Sequence, residues 1–473
     1  MADNTAMLTV VPGAALDAAA VNRFRSGLRS EVIAPDDPGY ESARHVYNAM
    51  IDRHPRLIVR CANVADVIGC VNFARENDLP LAVRGGGHNV AGFGTCDDGL
   101  VLDLSRMKGI RVDPAGCTVR AEGGCAWGDL DHATHAFGLA TTGGLVSTTG
   151  IAGLSLGGGI GHLARRYGLA CDNLLSVDLV TADGRFLTAS AHENDDLFWA
   201  LRGGGGNFGV ATSFEYRLHP VSEVFGGTLV YPLERAGEVM RFYRDFITQA
   251  PEEISAFFGF HLAPPAPFVP RNLQGIAVCL VVVCYTGPMA QADEAVRPLR
   301  AVTPPLLDLL EPMPYPTLQS TFDSLVPPGL YNYWKSDFMS DLSDEALEVL
   351  SRYGPQVPTY QSNLHVYPLN GAVQRVGKEE TAFNYRDVQF VVDIAAVYED
   401  PGDTPGHTAW VRDCWSALHP LSAGATYVNF LMDEGVDRIR AAYGEHYDRL
   451  AALKRKYDPT NLFRINQNIK PAP

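Results

Sequence analysis

The spacing of apolar and polar residues predicts alternating helices and strands in the first part of the chain. Apolar residues recur at helical spacing in residues 61–79, so a helix is predicted there, with Asn63 as its N-cap. Residues 80–84 are short and apolar, which predicts a strand that runs directly into the glycines of residues 85–87. The same reasoning predicts helices at residues 127–137 and 195–201, a strand at 99–104, hairpins at 109–121 and 174–189, and an alternating strand at 210–218.

The character of the chain changes after about residue 220, which predicts a domain boundary. Residues 221–424 are richer in proline and aromatic residues, lack triple glycines, and contain strand-like segments at 276–285 and 389–397. An antiparallel sheet with helices on one side is predicted for them. Residues 425–473 contain one predicted amphipathic helix, about 435–456. We therefore expect an N-terminal domain at 1–220, a substrate domain at 221–424 and a C-terminal return at 425–473.

Composition and charge narrow the class of protein. Hydrophobic residues make up 46% and charged residues 19% of the 473 residues, which is a normal globular balance. The net charge of −16 argues against a nucleic-acid-binding surface. No segment approaches the roughly 18–20 apolar residues that a membrane span needs. The N-terminal residues lack a basic region and Asp17 interrupts their apolar run, so no secretory signal is expected. These features predict a cytoplasmic protein without membrane or nucleic-acid partners.

The cysteines and histidines do not suggest a metal site. The nine cysteines are odd in number and contain no C-x-x-C pair, which favours free, buried thiols in a reducing compartment. His132 and His135 could share one face of a helix beside Asp131, yet no further ligand stands at a recognisable spacing. No metal is expected.

The glycine clusters fit three common motifs only superficially. Residues 204–209 match the dinucleotide fingerprint G-x-G-x-x-G, but a helix is predicted before them and a strand after them, the reverse of a Rossmann site. Residues 153–157 match the hydrolase motif G-x-S-x-G around Ser155, but no buried strand is predicted before the serine. A serine hydrolase therefore remains a weak alternative. No cluster is followed by the G-K-[ST] of a P-loop.

Three glycine-rich loops remain, and they suit an elongated anionic ligand. They lie at residues 85–87, 143–161 and 203–209, and the second is too rich in glycine to be regular throughout. Consecutive glycines leave backbone N–H groups open to a ligand, and such a nest suits a pyrophosphate. Arg84 could add charge stabilisation.

Several runs of residues together resemble a known family. They are VRGGGHN at 83–89, LGGGIG at 156–161, YGLACDN at 167–173, FWALRGGGGNFG at 198–209, YVNF at 427–430 and YDPTNLF at 457–463. In this combination and order they resemble the berberine-bridge-enzyme group of the vanillyl-alcohol-oxidase flavoproteins. The resemblance extends from about residue 54 to the C-terminus.

The resemblance implies an α+β, two-domain flavoprotein of the vanillyl-alcohol-oxidase type, with a PCMH-type FAD-binding domain. Residues 84–89 would form the pyrophosphate loop, and His88 would bond covalently to the 8α-methyl carbon of FAD. Gly209 and Val210 would lie near the adenine, and Asn466 and Asn468 near the flavin ring. The full set of implied cofactor-binding residues is Arg84, Gly85, Gly86, Gly87, His88, Asn89, Val146, Thr149, Gly150, Gly153, Gly158, Gly159, Gly209, Val210, Asn466 and Asn468.

This sequence departs from the family pattern at three positions. Val146 stands where many members have a second, cysteine attachment, so a single covalent bond is expected, as in the hydroxynicotine-oxidase type. Arg375 stands where some plant members have a catalytic glutamate. Thr149 replaces a small aliphatic residue beside the ring.

The implied reaction takes a hydride from a substrate C–H next to a hydroxyl or amine onto flavin N5, and O₂ reoxidises the flavin to give H₂O₂. Tyr427, in the Y-x-N motif, is the first candidate for the base and Tyr385 the second. The substrate class stays open between a sugar-type alcohol and an N-heterocyclic amine. A non-catalytic flavin-binding protein is the alternative. The sequence does not distinguish a monomer from an oligomer.

Overall fold

The structure, a computed structural model, describes residues 16–473. Most of the N-terminal segment that was analysed for a secretory signal lies outside the described residues. The helices of the described part are Ala18–Gly27, Tyr40–Arg44, Val64–Glu76, Trp127–His135, Ile151–Leu156, Ala164–Tyr167, Asp195–Leu201, Ala236–Gln249, Ala292–Val302, Tyr315–Gln319, Asp344–Tyr353, Ala372–Arg375, Thr404–Leu418, Val436–Tyr443 and Tyr447–Tyr457.

A four-stranded sheet carries the first glycine loop. Its strands, in spatial order, are Glu31–Ile33, Leu57–Arg60, Leu100–Asp103 and Leu81–Arg84. The last three run parallel, and the helix Val64–Glu76 connects two of them. The Asn63 side chain accepts a hydrogen bond from the Asp66 N–H, which confirms the predicted N-cap. The strand ends at Arg84, so the glycines emerge from the carboxyl edge of the sheet.

A five-stranded antiparallel sheet carries the other two loops. Its strands, in spatial order, are Ile110–Asp113, Thr118–Glu122, Val210–Arg217, Leu174–Val180 and Phe186–Ser190. Both predicted hairpins and the predicted alternating strand are present. The short strands Leu139–Ala140 and His219–Pro220 form a separate pair. The glycine-rich segment 143–161 is not regular throughout, as expected, and within it only the helix Ile151–Leu156 forms.

The middle of the chain forms an eight-stranded antiparallel sheet. Its strands are Leu307–Asp308, Glu223–Tyr231, Ala277–Tyr285, Ile254–Leu262, Asn363–Pro368, Phe390–Tyr398 and Tyr331–Met339, with Glu311–Pro314 pairing to Glu223–Tyr231. Because side chains alternate between the two faces of a strand, consecutive residues pack into the two different hydrophobic cores on either side of the sheet. Phe258 packs with the covering helices, whereas Phe257 joins the core of the glycine-rich half. One face is therefore covered by helices and the other faces the glycine loops.

The C-terminal tail returns to the glycine-rich half. The single helix predicted at about 435–456 is wrong, since the structure has two helices, Val436–Tyr443 and Tyr447–Tyr457. Gly444 separates them with a φ of 53°, a left-handed conformation that interrupts a helix. In the second helix, the Lys454 Nζ donates to the carbonyl of Asn207, which lies in the third glycine loop, at 2.7 Å.

Candidate active site

The glycine loops and the inner face of the eight-stranded sheet enclose a cavity of ≈ 350 Å³. Most of the cofactor-binding residues predicted from the sequence line it. They are Arg84, Gly85, Gly86, Gly87, His88, Asn89, Val146, Thr149, Gly150, Gly153, Gly209 and Asn466, together with Tyr427. Gly158, Gly159, Val210, Asn468 and Tyr385 are not among the lining residues.

The backbone of residues 85–89 is arranged to hold an anion. Among the described residues, none of the five N–H groups from Gly85 to Asn89 donates a hydrogen bond to another part of the protein. Gly87 has a φ of 71°. A Cβ on Gly86 would lie 2.6 Å from the Gly150 Cα, so the first two glycine loops pack backbone against backbone. Such a run of unpaired donors is a nest for phosphate oxygens, and the residues present fit a pyrophosphate-containing cofactor.

Arg84 does not direct its charge at a ligand, and in this respect the structure differs from the expectation. Its guanidinium donates to the carbonyls of Ala43 and His45 at 2.7 and 3.0 Å and to the Asp103 carboxylate at 3.0 Å. Both members of this ion pair are buried. The charge of Arg84 is therefore neutralised within the protein, and the side chain fixes the start of the loop.

His88 presents a neutral imidazole to the cavity. Its Nε2 lies 3.2 Å from the Thr148 Oγ1, and its Nδ1 lies 3.4 Å from the Thr149 Oγ1. The ring stacks on Tyr47 with a centroid distance of 4.3 Å. Burial lowers the pKa of His88 to about 4, so the ring is uncharged near neutral pH. A neutral imidazole nitrogen has the lone pair that a nucleophile needs.

Tyr427 is fixed at the cavity wall by two hydrogen bonds to its phenolic oxygen. The N–H of Gly159 and the Nδ2 of Asn429 each donate to that oxygen at 2.7 Å. Both donors favour the phenolate, but burial outweighs them and raises the pKa of Tyr427 well above its usual value. Gly159 thus contributes to the site only by its hydrogen bond to Tyr427, while Gly158 packs against Phe383.

Three other residues singled out from the sequence serve the core or lie elsewhere. Tyr385 is not among the residues that line the cavity: it donates its hydroxyl to the Ala441 carbonyl at 2.5 Å and stacks on Phe338. Val210 is buried in the core beneath the third loop, and the Asn468 Oδ1 is buried without a partner.

Ser155 is not placed to act as a nucleophile. It lies inside the helix Ile151–Leu156 rather than on a strand-to-helix turn, and it is fully buried. Its hydroxyl pairs with that of Tyr216 at 2.8 Å instead of with a histidine. A hydrolase elbow needs an exposed, activated serine, so the structure does not support that alternative.

The sheet side of the cavity carries a polar cluster that sequence reasoning missed. The His261 Nε2 lies 2.6 Å from the His365 Nε2, and the His365 Nδ1 lies 2.6 Å from the Tyr367 hydroxyl. Asp393 stands directly opposite His365 on the neighbouring strand, so both side chains lie on the same face of the sheet. Asn363 lines the same wall. All five residues come from the eight-stranded sheet.

Two buried oxygens of this wall have no hydrogen-bond partner. They are the Asp393 Oδ1 and the Asn363 Oδ1. Asp393 is 3% exposed, and burial raises its pKa to about 8. Burying an acceptor without a hydrogen-bond partner costs free energy, and a ligand that donates a hydrogen bond to it removes that cost. One signal was present in the sequence, since Asp393 is the single charged residue in the apolar strand Phe390–Tyr398.

The described residues contain neither a cluster of metal ligands nor a helix able to span a membrane. No group of three or more histidine, cysteine, aspartate or glutamate side chains within 16–473 is placed to hold a metal ion. Over the same residues, every helix is too short or too polar to span a bilayer.

Known proteins match this chain in sequence. Residues 55–190 match the FAD binding domain family, and residues 426–470 match the family described as berberine and berberine like. An FAD-linked oxidoreductase of Dictyostelium discoideum is 34% identical over 95% of this chain and 97% of its own length. The (R)-6-hydroxynicotine oxidase of Paenarthrobacter nicotinovorans is 31% identical over 94% of this chain and 97% of its own length.

Solved structures match it in fold. The 6-hydroxy-D-nicotine oxidase of Arthrobacter nicotinovorans superposes with a TM-score of 0.84 at 29% identity, over 94% of this chain and 98% of that one. The BBE-like 1 protein of Physcomitrella patens also gives 0.84, at 25% identity, over 96% and 99%. The chain therefore belongs to the berberine-bridge-enzyme-like FAD-linked oxidoreductases, and it is an enzyme with the two-domain fold of vanillyl-alcohol-oxidase-type flavoproteins.

Proposed function

We propose that this protein is an FAD-dependent oxidase of a small organic substrate, acting at a C–H next to a hydroxyl or an amine. The observation that carries the proposal is that one cavity joins the five unpaired N–H groups of residues 85–89 to the unpaired acceptors of the sheet. Bound FAD would supply the two-electron acceptor for the substrate hydride and would pass the electrons to O₂, giving H₂O₂. Residues 85–89 would hold its pyrophosphate.

His88 is the proposed point of covalent attachment. Its support is a neutral imidazole on the cavity wall, three residues beyond the start of the anion nest. A single attachment is proposed because Val146 lines the cavity at the position of a second one, and no cysteine is among the described residues that line it. Peptide mapping of the purified holoenzyme tests both points, and a thioether at any of the nine cysteines would refute the second.

Tyr427 is the proposed base for the substrate O–H or N–H. Two N–H donors on its oxygen stabilise the negative charge that develops when its proton leaves. The Gly159 and Asn429 donors occupy two lone pairs of this oxygen, so only the phenolate form, which keeps a third, would accept the proton of the substrate O–H or N–H and orient the neighbouring C–H. Phe430, whose ring lies 4.9 Å from that of Tyr427, limits the water around it.

The alternative is a protein that binds FAD without turnover, and anaerobic reduction separates the two. The holoenzyme is mixed without O₂ with matched amines and alcohols, and bleaching of the flavin absorbance is followed. Bleaching by one class, followed by H₂O₂ on admission of air, supports the oxidase. A flavin that dithionite reduces but no amine or alcohol reduces would favour the binding protein.

We also propose a cytoplasmic location. Its support is the set of nine free cysteines, of which all but Cys117 are buried. Unpaired thiols persist in reducing compartments. Fractionation of the native host tests this, and recovery of the protein outside the cytoplasm would overturn it.

A further inference from the structure

The hydrogen bonds of the polar cluster on the sheet all run in one direction, because one of them determines which atom donates in each of the others. A chain of two histidines and a tyrosine has two possible polarities. The Tyr360 backbone raises the pKa of the His261 ring, as a carbonyl that faces a ring N–H does, and this assigns the ring proton to the nitrogen that faces Tyr360. That nitrogen is Nδ1, since the Nε2 of His261 faces His365.

The remaining protons follow from that assignment. With Nδ1 protonated, a neutral His261 has a bare Nε2, which accepts the Nε2–H of His365. A neutral His365 then has a bare Nδ1, which accepts the hydroxyl proton of Tyr367. Both rings are neutral, because burial lowers the pKa of His261 to about 4 and that of His365 well below its usual value. Tyr367 therefore donates its hydroxyl proton to His365 in the sheet, and the Tyr367 oxygen offers only lone pairs to a ligand in the cavity.

Tyr367 lies on the same face of the sheet as the two unpaired oxygens already described. Burial and, to a smaller extent, the nearby Asp393 raise the pKa of Tyr367 well above its usual value, so the phenol keeps its proton. The Asp393 Oδ1 and the Asn363 Oδ1 are acceptors without partners. The only cationic side chain among the described lining residues is Arg84, which is neutralised by Asp103 on the far side of the cavity. This part of the wall is thus rich in acceptors, carries one carboxyl group, and has no protein cation to satisfy it.

From this arrangement we infer that the Tyr367–Asp393–Asn363 wall is a recognition site for a protonated amine on the substrate. An ammonium group brings several N–H donors and a positive charge, which match a wall that carries acceptor oxygens and one ionisable carboxyl group, Asp393. The aromatic rings of Phe257, Phe322 and Trp334 line the same end and would cover an apolar body attached to the amine. The inference rests on the proposed function, and it names the substrate class within it.

The test measures binding and does not depend on turnover. Isothermal titration of the holoenzyme compares benzylammonium with benzyl alcohol, which has the same size but no charge. We expect benzylammonium to bind at least about tenfold more tightly, the usual advantage of a charge-assisted hydrogen bond over a neutral one. Benzyltrimethylammonium, which has the charge but no N–H, should bind more weakly than benzylammonium. Equal or tighter binding of the alcohol, or of the trimethyl cation, would overturn the inference.

Two variants locate the effect. Asp393→Asn should remove most of the preference for benzylammonium and leave benzyl alcohol within about twofold. Asp341→Asn is the matched control, since it makes the same side-chain change at an exposed position outside the cavity. If both variants leave the preference intact, or if both lower it equally, the wall is not the recognition site.

A spectroscopic measurement on the native protein checks the polarity without any substitution. In ¹⁵N-histidine-labelled protein, His261 should show the Nδ1–H tautomer and His365 the Nε2–H tautomer. The opposite tautomers would turn the Tyr367 proton toward the cavity and would overturn the inference. Failure of the proposed function looks different, since the flavin would stay oxidised with every amine and alcohol while benzylammonium still bound.

Discussion

Replacing Lys454 by methionine should destabilise the whole glycine-rich half, because this lysine attaches the C-terminal tail to the third glycine loop. Its Nζ donates to the carbonyls of Asn207 and Phe463 at 2.7 and 2.8 Å and to the Asp458 carboxylate at 2.7 Å. Both charged side chains are completely buried. Methionine keeps the length of the aliphatic stem but supplies no donor.

The expected loss is about 3–5 kcal/mol in the free energy of unfolding, the usual result of leaving one buried charge without its partner. Asp458 retains hydrogen bonds from the N–H groups of Leu462 and Phe463, which favours the lower end of the range. Burial lowers the pKa of Lys454 to about 8, so the ammonium is present at pH 7, where the loss should be measured. Asn207 and Phe463 also line the cavity, so the variant should hold its cofactor less firmly.

Urea unfolding of the holoenzyme at pH 7, followed by tryptophan fluorescence, measures this loss. Lys456→Met is the matched control, because Lys456 lies in the same helix and pairs with Asp196 at an exposed position. That control should lose no more than about 1 kcal/mol. The double variant Lys454→Met/Asp458→Asn should recover part of the loss. Equal losses in the Lys454 and Lys456 single variants would refute the reasoning.

Three further outcomes are expected. Burial raises the folded-state pKa of Asp393 from 3.8 to about 8. Between these pH values the unfolded chain loses this proton more readily than the folded protein, so Asp393 lowers the free energy of unfolding increasingly as pH rises. Asp393→Asn should therefore be more stable than the native protein at pH 7, by up to about 4 kcal/mol, with no gain at pH 3.5, as thermal unfolding at both pH values would show. Tyr427→Phe should slow anaerobic flavin reduction by roughly 10²–10⁴ with little change in substrate affinity, and stopped-flow reduction at the native rate would leave it a packing residue. Gly86→Ala should prevent normal loop packing, because its Cβ would meet the Gly150 backbone, whereas Gly153→Ala, which meets nothing within 4 Å, should fold normally by circular dichroism.

Local features of this protein were predictable from its sequence. The N-cap at Asn63, the hairpins around residues 113–116 and 182–184, and the glycine loop before His88 depend on neighbouring residues, and they are present in the structure. The split of the C-terminal helix at Gly444 was missed, because a glycine within an amphipathic pattern is compatible with a continuous helix.

The substrate side of the cavity was not predictable, because strand pairing creates it. His261 and His365 are 104 positions apart in the chain and meet only through the strands Ile254–Leu262 and Asn363–Pro368. The pairing of Arg84 with Asp103 likewise depends on two parallel strands. Neither of these two contacts is marked by a characteristic spacing of residues along the sequence. Asp393 was the exception, since a lone carboxylate within an apolar strand is a signal in itself.

Covalent attachment of FAD through His88 is the central claim, and acid precipitation of the purified protein tests it most directly. The yellow colour should remain in the pellet, and digestion of the pellet should give one flavin-bearing peptide, the peptide that contains His88. The His88→Ala protein should release its flavin into the supernatant and still bind FAD before precipitation, because the backbone of residues 85–89 would hold the pyrophosphate. Colour released from the native protein, or a flavin adduct that persists in the His88→Ala protein, would contradict the account.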